Sequence, residues 1–142
     1  MMEFKVYKGK QGIKDIMNKF SAIQKTGDVI YSFGYEGGFD KVLGKDWWKT
    51  ITRVKSANTK FKGVFSLHPA ASRPHTKRTE IRYVKAGKGE IEVAVWKDTV
   101  RIFSLTKKNP YVVLIKDSAV ADGLMNYWKL LHGIGKEAKR KL

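Results

Sequence analysis

The feature that most constrains the fold is a hydrophobic periodicity that switches repeatedly between two residues and about 3.6 residues. Apolar side chains recur at helical spacing in residues 13–23 and alternate with polar ones in residues 90–105, which predicts a helix and a β-hairpin. Residues 111–115 form the most β-prone run and predict a central strand. The resulting order, β-α-β-α-β-β-β-β-β-α, predicts an α/β fold with a single mixed β-sheet flanked by helices.

The length and the apolar content of the chain fit one domain. The chain has 142 residues, of which 42% are hydrophobic, and it contains no cysteine. This composition supports a core without disulfides. No apolar run approaches the ~20 residues that span a bilayer, and the first residues lack the apolar stretch of a signal peptide. We therefore expect a cytoplasmic protein without membrane contact, with a folded domain over residues 1–135 and a basic tail over residues 136–142.

The charge of the chain indicates a polyanionic partner. Lys and Arg total 29 against 13 Asp and Glu, a formal net charge of +16. Such an excess favours DNA or RNA as a partner, although lysine-rich surfaces also occur in proteins that bind no nucleic acid. The predicted nucleic-acid contacts are Arg53, Lys55, Lys62, Arg73, Lys77, Arg78, Lys139 and Arg140.

The histidines do not form an evident catalytic or metal site. His68, His75 and His132 lack zinc-site spacing, so we expect no metal and no cofactor. His75 and Lys77 form the His-x-Lys part of the motif that phospholipase D-like enzymes use, but Arg82 stands where that motif has its aspartate. We therefore predict no catalytic residues and no enzyme activity.

A ligand site is predicted at the carboxyl end of the strand over residues 28–34. The glycine-rich loop 34–38 precedes a helix predicted over residues 39–54, an arrangement that can hold an anion or serve only as a turn. Trp48 falls off the apolar stripe of that helix, so it packs, stacks on a ligand ring or contributes to a dimer interface. The predicted ligand-binding residues are Gly34, Tyr35, Trp48 and Arg82.

Five groups of residues carry a family resemblance through their order and spacing: residues 6–9 with 12–14, residues 28–34, residues 79–84, residues 96–102, and residues 113–117 with 121–122 and 126–128. Together they resemble the effector region of TrmB-type transcription regulators. This resemblance implies a phospholipase D-like fold, one half of the paired arrangement in which such domains often occur, and hence a homodimer. Members of that family typically carry an N-terminal winged helix-turn-helix, and many carry a sugar-binding domain; the sequence here has neither.

The resemblance also bears on catalysis and on function. If Asp98 corresponds to the aspartate of the phospholipase D motif, Ile91 and Val93 occupy its histidine and lysine positions, which implies an inactive module. We therefore expect a dimeric regulatory module that binds a small-molecule effector and contacts nucleic acid through a basic surface. The alternative is a general phosphate-backbone binder of DNA or RNA, unrelated to ligand sensing.

Overall fold

The computed structural model of the chain describes residues 2–25, 27–35, 38–44, 59–66, 79–86 and 89–137. Within these ranges the chain forms one sheet and three helices. The strands are β1 (Glu3–Lys8), β2 (Asp28–Tyr35), β3 (Thr59–Ser66), β4 (Thr79–Val84), β5 (Ile91–Trp96), β6 (Thr99–Ser104), β7 (Tyr111–Lys116) and β8 (Lys136–Glu137). The helices are α1 (Gly9–Ile23), α2 (Gly38–Leu43) and α3 (Ser118–Ile134).

The strands form a single mixed sheet in the order β1-β7-β6-β5-β2-β3-β4-β8. β2, β3 and β4 are parallel neighbours, and the remaining pairs are antiparallel. The predicted hairpin is β5-β6, whose tight turn places Lys97 at φ 54. The predicted α/β fold with one mixed sheet is confirmed, although β7 lies beside the edge strand β1 rather than at the centre.

Strand side chains alternate between the two faces of the sheet, so both faces carry apolar side chains. Helices cover both faces. α1 buries Ile13, Ile16 and Phe20 in a cluster that also includes Phe39 of α2 and Phe103 of β6. On the opposite face, α3 packs on a second cluster. That cluster contains Val93, Val95, Val100 and Ala121. The sheet therefore has an α1 face and an α3 face.

The last helix, α3, is capped at both ends. Asp117 is the N-cap, and its side chain accepts a hydrogen bond from the Ala119 amide. The helix continues to Ile134, and Gly135 is the C-cap. A Cβ at Gly135 would lie 3.0 Å from the Cβ of Arg82, so close packing against β4 places the end here.

Two other predicted segments have different outcomes. The first residues of the predicted basic tail, Lys136 and Glu137, pair with β4 as the short strand β8. The second predicted helix is described only over α2, and its remainder, residues 45–54, lies outside the described residues.

Candidate nucleic-acid interface

Basic side chains from β3 and β4 lie on the α3 face of the sheet. Lys62 is the register partner of Tyr31 in β2. The ring of Tyr31 packs edge-on against the ring of Trp128 in α3, with ring centroids 4.8 Å apart. Lys62 therefore shares the α3 face with Tyr31. Lys60 lies on the same face because it is two residues away along the strand. Lys60 is exposed, and the side chain of Lys62 is about a third exposed, at 37%.

A polar cluster joins β4 to the end of α3. Nε2 of His132 lies 3.0 Å from Oε1 of Glu80, and Nη1 of Arg82 donates to the His132 carbonyl oxygen at 2.8 Å. The His132 ring also stacks on Trp128, with ring centroids 4.6 Å apart. Nζ of Lys62 lies 3.9 Å from Oε2 of Glu80. Glu80 is therefore held between a histidine and a lysine, while Arg82 fixes the last turn of the helix.

These contacts change the ionisation of Glu80. The hydrogen bond with His132 is the main cause that holds the pKa of Glu80 below its ordinary value of 4.5. The charges of Lys62 and Arg82 act in the same direction, and partial burial opposes them. Glu80 is consequently ionised at neutral pH.

Lys129 extends the cluster along α3. It precedes His132 by three residues, so the two side chains are neighbours on one flank of the helix. Lys129 is exposed. Hereafter "the basic surface" means the following residues on the α3 face: Lys60, Lys62, Arg82, Lys129 and His132.

Two predicted site residues meet here, although they were assigned to different sites. Lys62 was a predicted nucleic-acid contact and Arg82 a predicted ligand residue, and both act on Glu80. The other predicted nucleic-acid contacts and one ligand residue lie outside the described residues. They are Arg53, Lys55, Arg73, Lys77, Arg78, Lys139, Arg140 and Trp48.

The remaining predicted ligand residues lie at the carboxyl end of β2. Gly34 has φ +135, and a Cβ there would overlap the Ile91 carbonyl oxygen. The close passage of β5 therefore explains the glycine without a ligand. Tyr35, the last residue of β2, is half-buried. About 10 Å, or two strand spacings, separates this end of β2 from β4. Arg82, which is turned toward α3, is therefore not brought together with Gly34. A small-molecule effector stays a prediction.

The sequence analysis did not predict four residues that the structure places on this face: Lys60, Glu80, Lys129 and His132. Glu80 and His132 lie 52 residues apart in the chain. Their contact depends on where α3 crosses the sheet, which no local pattern encodes. The one available signal was the alternation in β3, which already places Lys60 and Lys62 on the same face.

Metal and membrane sites are not evident in the part of the chain that the structure describes. No group of three or more metal-ligating side chains is arranged there to hold an ion. None of the described helices is long and apolar enough to cross a bilayer.

The architecture of the chain is shared by several solved structures. Two similar solved structures match over their whole length. NucT from Helicobacter pylori has a TM-score of 0.66 and 12% identity, with 97% of this chain and 100% of NucT covered. Nuc from Salmonella typhimurium, described as a phospholipase D family member, has a TM-score of 0.65 and 13% identity, with 99% of this chain and 100% of Nuc covered.

A third similar structure is that of TrmBL2, an archaeal chromatin protein with a novel mode of DNA binding. The match has a TM-score of 0.63 and 14% identity, and covers 95% of this chain. The chain spans about half of TrmBL2, 54% of its length. No protein-family model and no curated protein matches the sequence. The phospholipase D-like part of the TrmB resemblance is thus confirmed by structural likeness.

The prediction that the chain is not an enzyme is contradicted by the whole-length likeness to NucT and Nuc. That prediction rested on Arg82 at the aspartate position of one motif comparison and on the apolar residues Ile91 and Val93 in another, and these exclude only two arrangements of catalytic groups. The fold brings His132 within 3.0 Å of Glu80, a pairing of acid–base groups that the motif comparison did not consider.

Proposed function

We propose that this protein binds nucleic acid by its phosphate backbone, through the basic surface, and that it acts in regulation, as the TrmB resemblance implies. The observation that carries the proposal is the placement of Lys60 and Lys62 on the face that holds the anchored Arg82, with Lys129 three residues before His132 on α3, in a chain of net charge +16. Lysine and arginine side chains that neutralise phosphates release condensed counterions, which drives association with little sequence preference.

The members of the basic surface contribute in different ways. Lys60 and Lys129 are exposed point charges on flexible stems, which can follow an irregular backbone. Arg82 is fixed through the His132 carbonyl, so it supplies positive potential without loss of side-chain freedom on binding. Glu80 opposes binding because its charge neutralises part of this potential. Removal of the Glu80 charge is therefore expected to raise the affinity.

An apolar surface on the same face supports a homodimer. Tyr127, Leu130 and Ile134 form an exposed stripe on α3, at 64%, 63% and 66% exposure. Exposed apolar side chains of this number are typical of protein interfaces. A second copy packed here would double the charge presented to a polymer.

Phosphodiester hydrolysis is a second candidate function, and the contact between His132 and Glu80 favours it. A carboxylate on one ring nitrogen orients a histidine and supports its other nitrogen as a base or nucleophile. Lys62, close by, can stabilise charge on a phosphate. Activity on labelled single and double strands that is lost in His132→Gln would support this role. Activity that is unchanged in His132→Gln would contradict it.

The binding proposal is tested by replacing lysine side chains with glutamine, which is uncharged and of similar length. Replacing Lys60, Lys62 and Lys129 by Gln is expected to weaken duplex binding by at least about tenfold at about 100 mM salt. Glu80→Gln is expected to strengthen it. The matched control replaces Lys19, Lys25 and Lys116, which are exposed and do not belong to the basic surface.

Thermal melting of each variant confirms that the fold is intact. Equal affinity losses in the two triple variants would show that net charge, not the basic surface, determines binding. A weaker affinity of the Glu80→Gln variant would contradict the claim that the Glu80 charge opposes binding.

A further inference from the structure

A second concentration of positive charge lies at the other end of the sheet. Lys8 is the last residue of β1 and Lys10 lies in the first turn of α1. Lys107 and Lys108 lie in the connection between β6 and β7. The Gly9 amide donates to the Pro110 carbonyl at 2.7 Å and brings the two segments together. Hereafter "the lysine corner" means these four lysines: Lys8, Lys10, Lys107 and Lys108.

The charge of the lysine corner is not neutralised by described carboxylates. All four lysines are exposed, and none forms an ion pair with a residue in the described ranges. Asp15, the nearest acidic residue along α1, accepts a hydrogen bond from Gln11, and Glu90 is paired with Lys41.

The start of α1 adds to this positive potential. Lys8 is the N-cap of α1, and the first turn contains no acidic residue. A lysine side chain cannot accept from the first amide groups of the helix, and the Gly9 amide donates to the Pro110 carbonyl instead. The positive end of the helix dipole faces the same region as the four lysines.

The lysine corner is too far from the basic surface to contact the same few phosphates. In the strand order, β1 lies five strand spacings from β3 and six from β4. At about 4.8 Å per spacing, the two surfaces are roughly 24–29 Å apart across the sheet. The lysine corner also lies at the opposite end of the strands from Lys60. The pairings make β1 and β3 run in the same direction, so the carboxyl end of β1 and the amino end of β3 are at opposite ends of the strands. One chain therefore presents two separate cationic surfaces.

We propose that the lysine corner is a second phosphate-backbone site, so that one protein molecule holds two nucleic-acid segments at once. This inference rests on the proposed function. A nucleic acid fits the lysine corner better than a membrane does, because residues 8–10 and 107–110 contain no large apolar side chain that could insert between lipids. Exposed lysines in two short, polar turns suit contact with a phosphate backbone.

A two-duplex capture assay tests this inference. One duplex is immobilised, the protein is added, and a second, fluorescent duplex is captured in solution. The variant with Lys8, Lys10, Lys107 and Lys108 changed to Gln is expected to keep most of its affinity for one duplex. It is expected to lose capture of the second duplex about tenfold or more at about 100 mM salt. The variant of Lys19, Lys25 and Lys116 is the control and is expected to capture normally.

The outcomes separate this inference from the proposed function. Undiminished capture by the lysine-corner variant, with single-duplex binding intact, overturns the inference and leaves the proposed function standing. It would also indicate that bridging comes from two copies of the basic surface in a dimer. Failure of the wild-type protein to bind even one duplex overturns both. Binding to anionic phosphatidylserine vesicles that depends on the lysine corner, with capture unchanged, would assign the surface to a membrane and also overturn the inference.

Discussion

Loss of the charge of Glu92 is expected to destabilise the protein strongly, because Arg101 is a buried cation. Arg101 is 2% exposed, and its guanidinium lies 4.3 Å from the ring centre of Phe20 and 5.6 Å from that of Phe103. Burial lowers the pKa of Arg101 to about 10, and the negative charge of Glu92 opposes that shift. Arg101 is therefore still charged at pH 7, and Glu92, itself 4% exposed, is the carboxylate that offsets its charge.

The magnitude follows from the cost of an uncompensated buried charge. Arg101 and Glu92 interact through their charges. Removal of one partner of a buried ion pair in direct contact typically costs about 3–5 kcal/mol, which is the upper bound here. A domain of this size loses roughly 2–4 °C of Tm per kcal/mol. Glu92→Gln is therefore expected to lower Tm by up to roughly 10 °C at pH 7, measured by circular dichroism and checked by urea unfolding.

The control lies two residues away. Glu90 pairs with Lys41 at 3.2 Å, and the two side chains are 49% and 43% exposed. Glu90→Gln is expected to cost less than about 1 kcal/mol, because exposed ion pairs contribute little. Adding Arg101→Met to Glu92→Gln is expected to recover much of the loss, since no buried charge then remains. Equal Tm values for Glu90→Gln and Glu92→Gln would refute this reasoning.

Three further substitutions test local features of the fold. Gly34→Ala is expected to lower the free energy of unfolding by about 1–3 kcal/mol in urea titrations, because Gly34 has φ +135 and a Cβ would meet the Ile91 carbonyl. An unchanged urea midpoint would contradict this close approach. Glu80 has a lowered pKa in the folded state. Its contribution to the stability of the protein is therefore present above its ordinary pKa of 4.5 and is lost as the pH falls through the lower folded-state pKa. Glu80→Gln should therefore destabilise the protein at pH 7 and much less in strong acid, and an equal effect at both pH values would argue against the ion pairs. Asp117→Ala removes the N-cap of α3 and is expected to cost about 1 kcal/mol in thermal melts, whereas Asp117→Asn should be nearly neutral.

Local periodicity was enough to predict most of the secondary structure. The alternation in residues 90–105 defines β5 and β6 with their turn at Lys97, and the helical spacing of residues 13–23 defines the buried side of α1. The end of α3 involves close packing between Gly135 and Arg82, a contact between distant segments that local periodicity does not encode.

The candidate sites were harder to predict because they depend on the strand order. The sequence places Lys62 and Arg82 in two different strands, but only the parallel pairing of β3 with β4 brings both beside Glu80. The lysine corner likewise requires β1 to pair with β7, two strands that are separated by most of the chain. Charge composition predicted the kind of partner, and tertiary structure was needed to locate the surfaces.

The salt dependence of binding tests the central claim most directly. The affinity of the wild-type protein for a labelled duplex and for a labelled single strand should be measured between about 50 and 200 mM salt. If Lys60, Lys62, Arg82 and Lys129 each neutralise one phosphate, the duplex affinity should fall by about 100-fold over this range. Absence of binding at the lowest salt, or an affinity that does not change with salt, would contradict a phosphate-backbone interface.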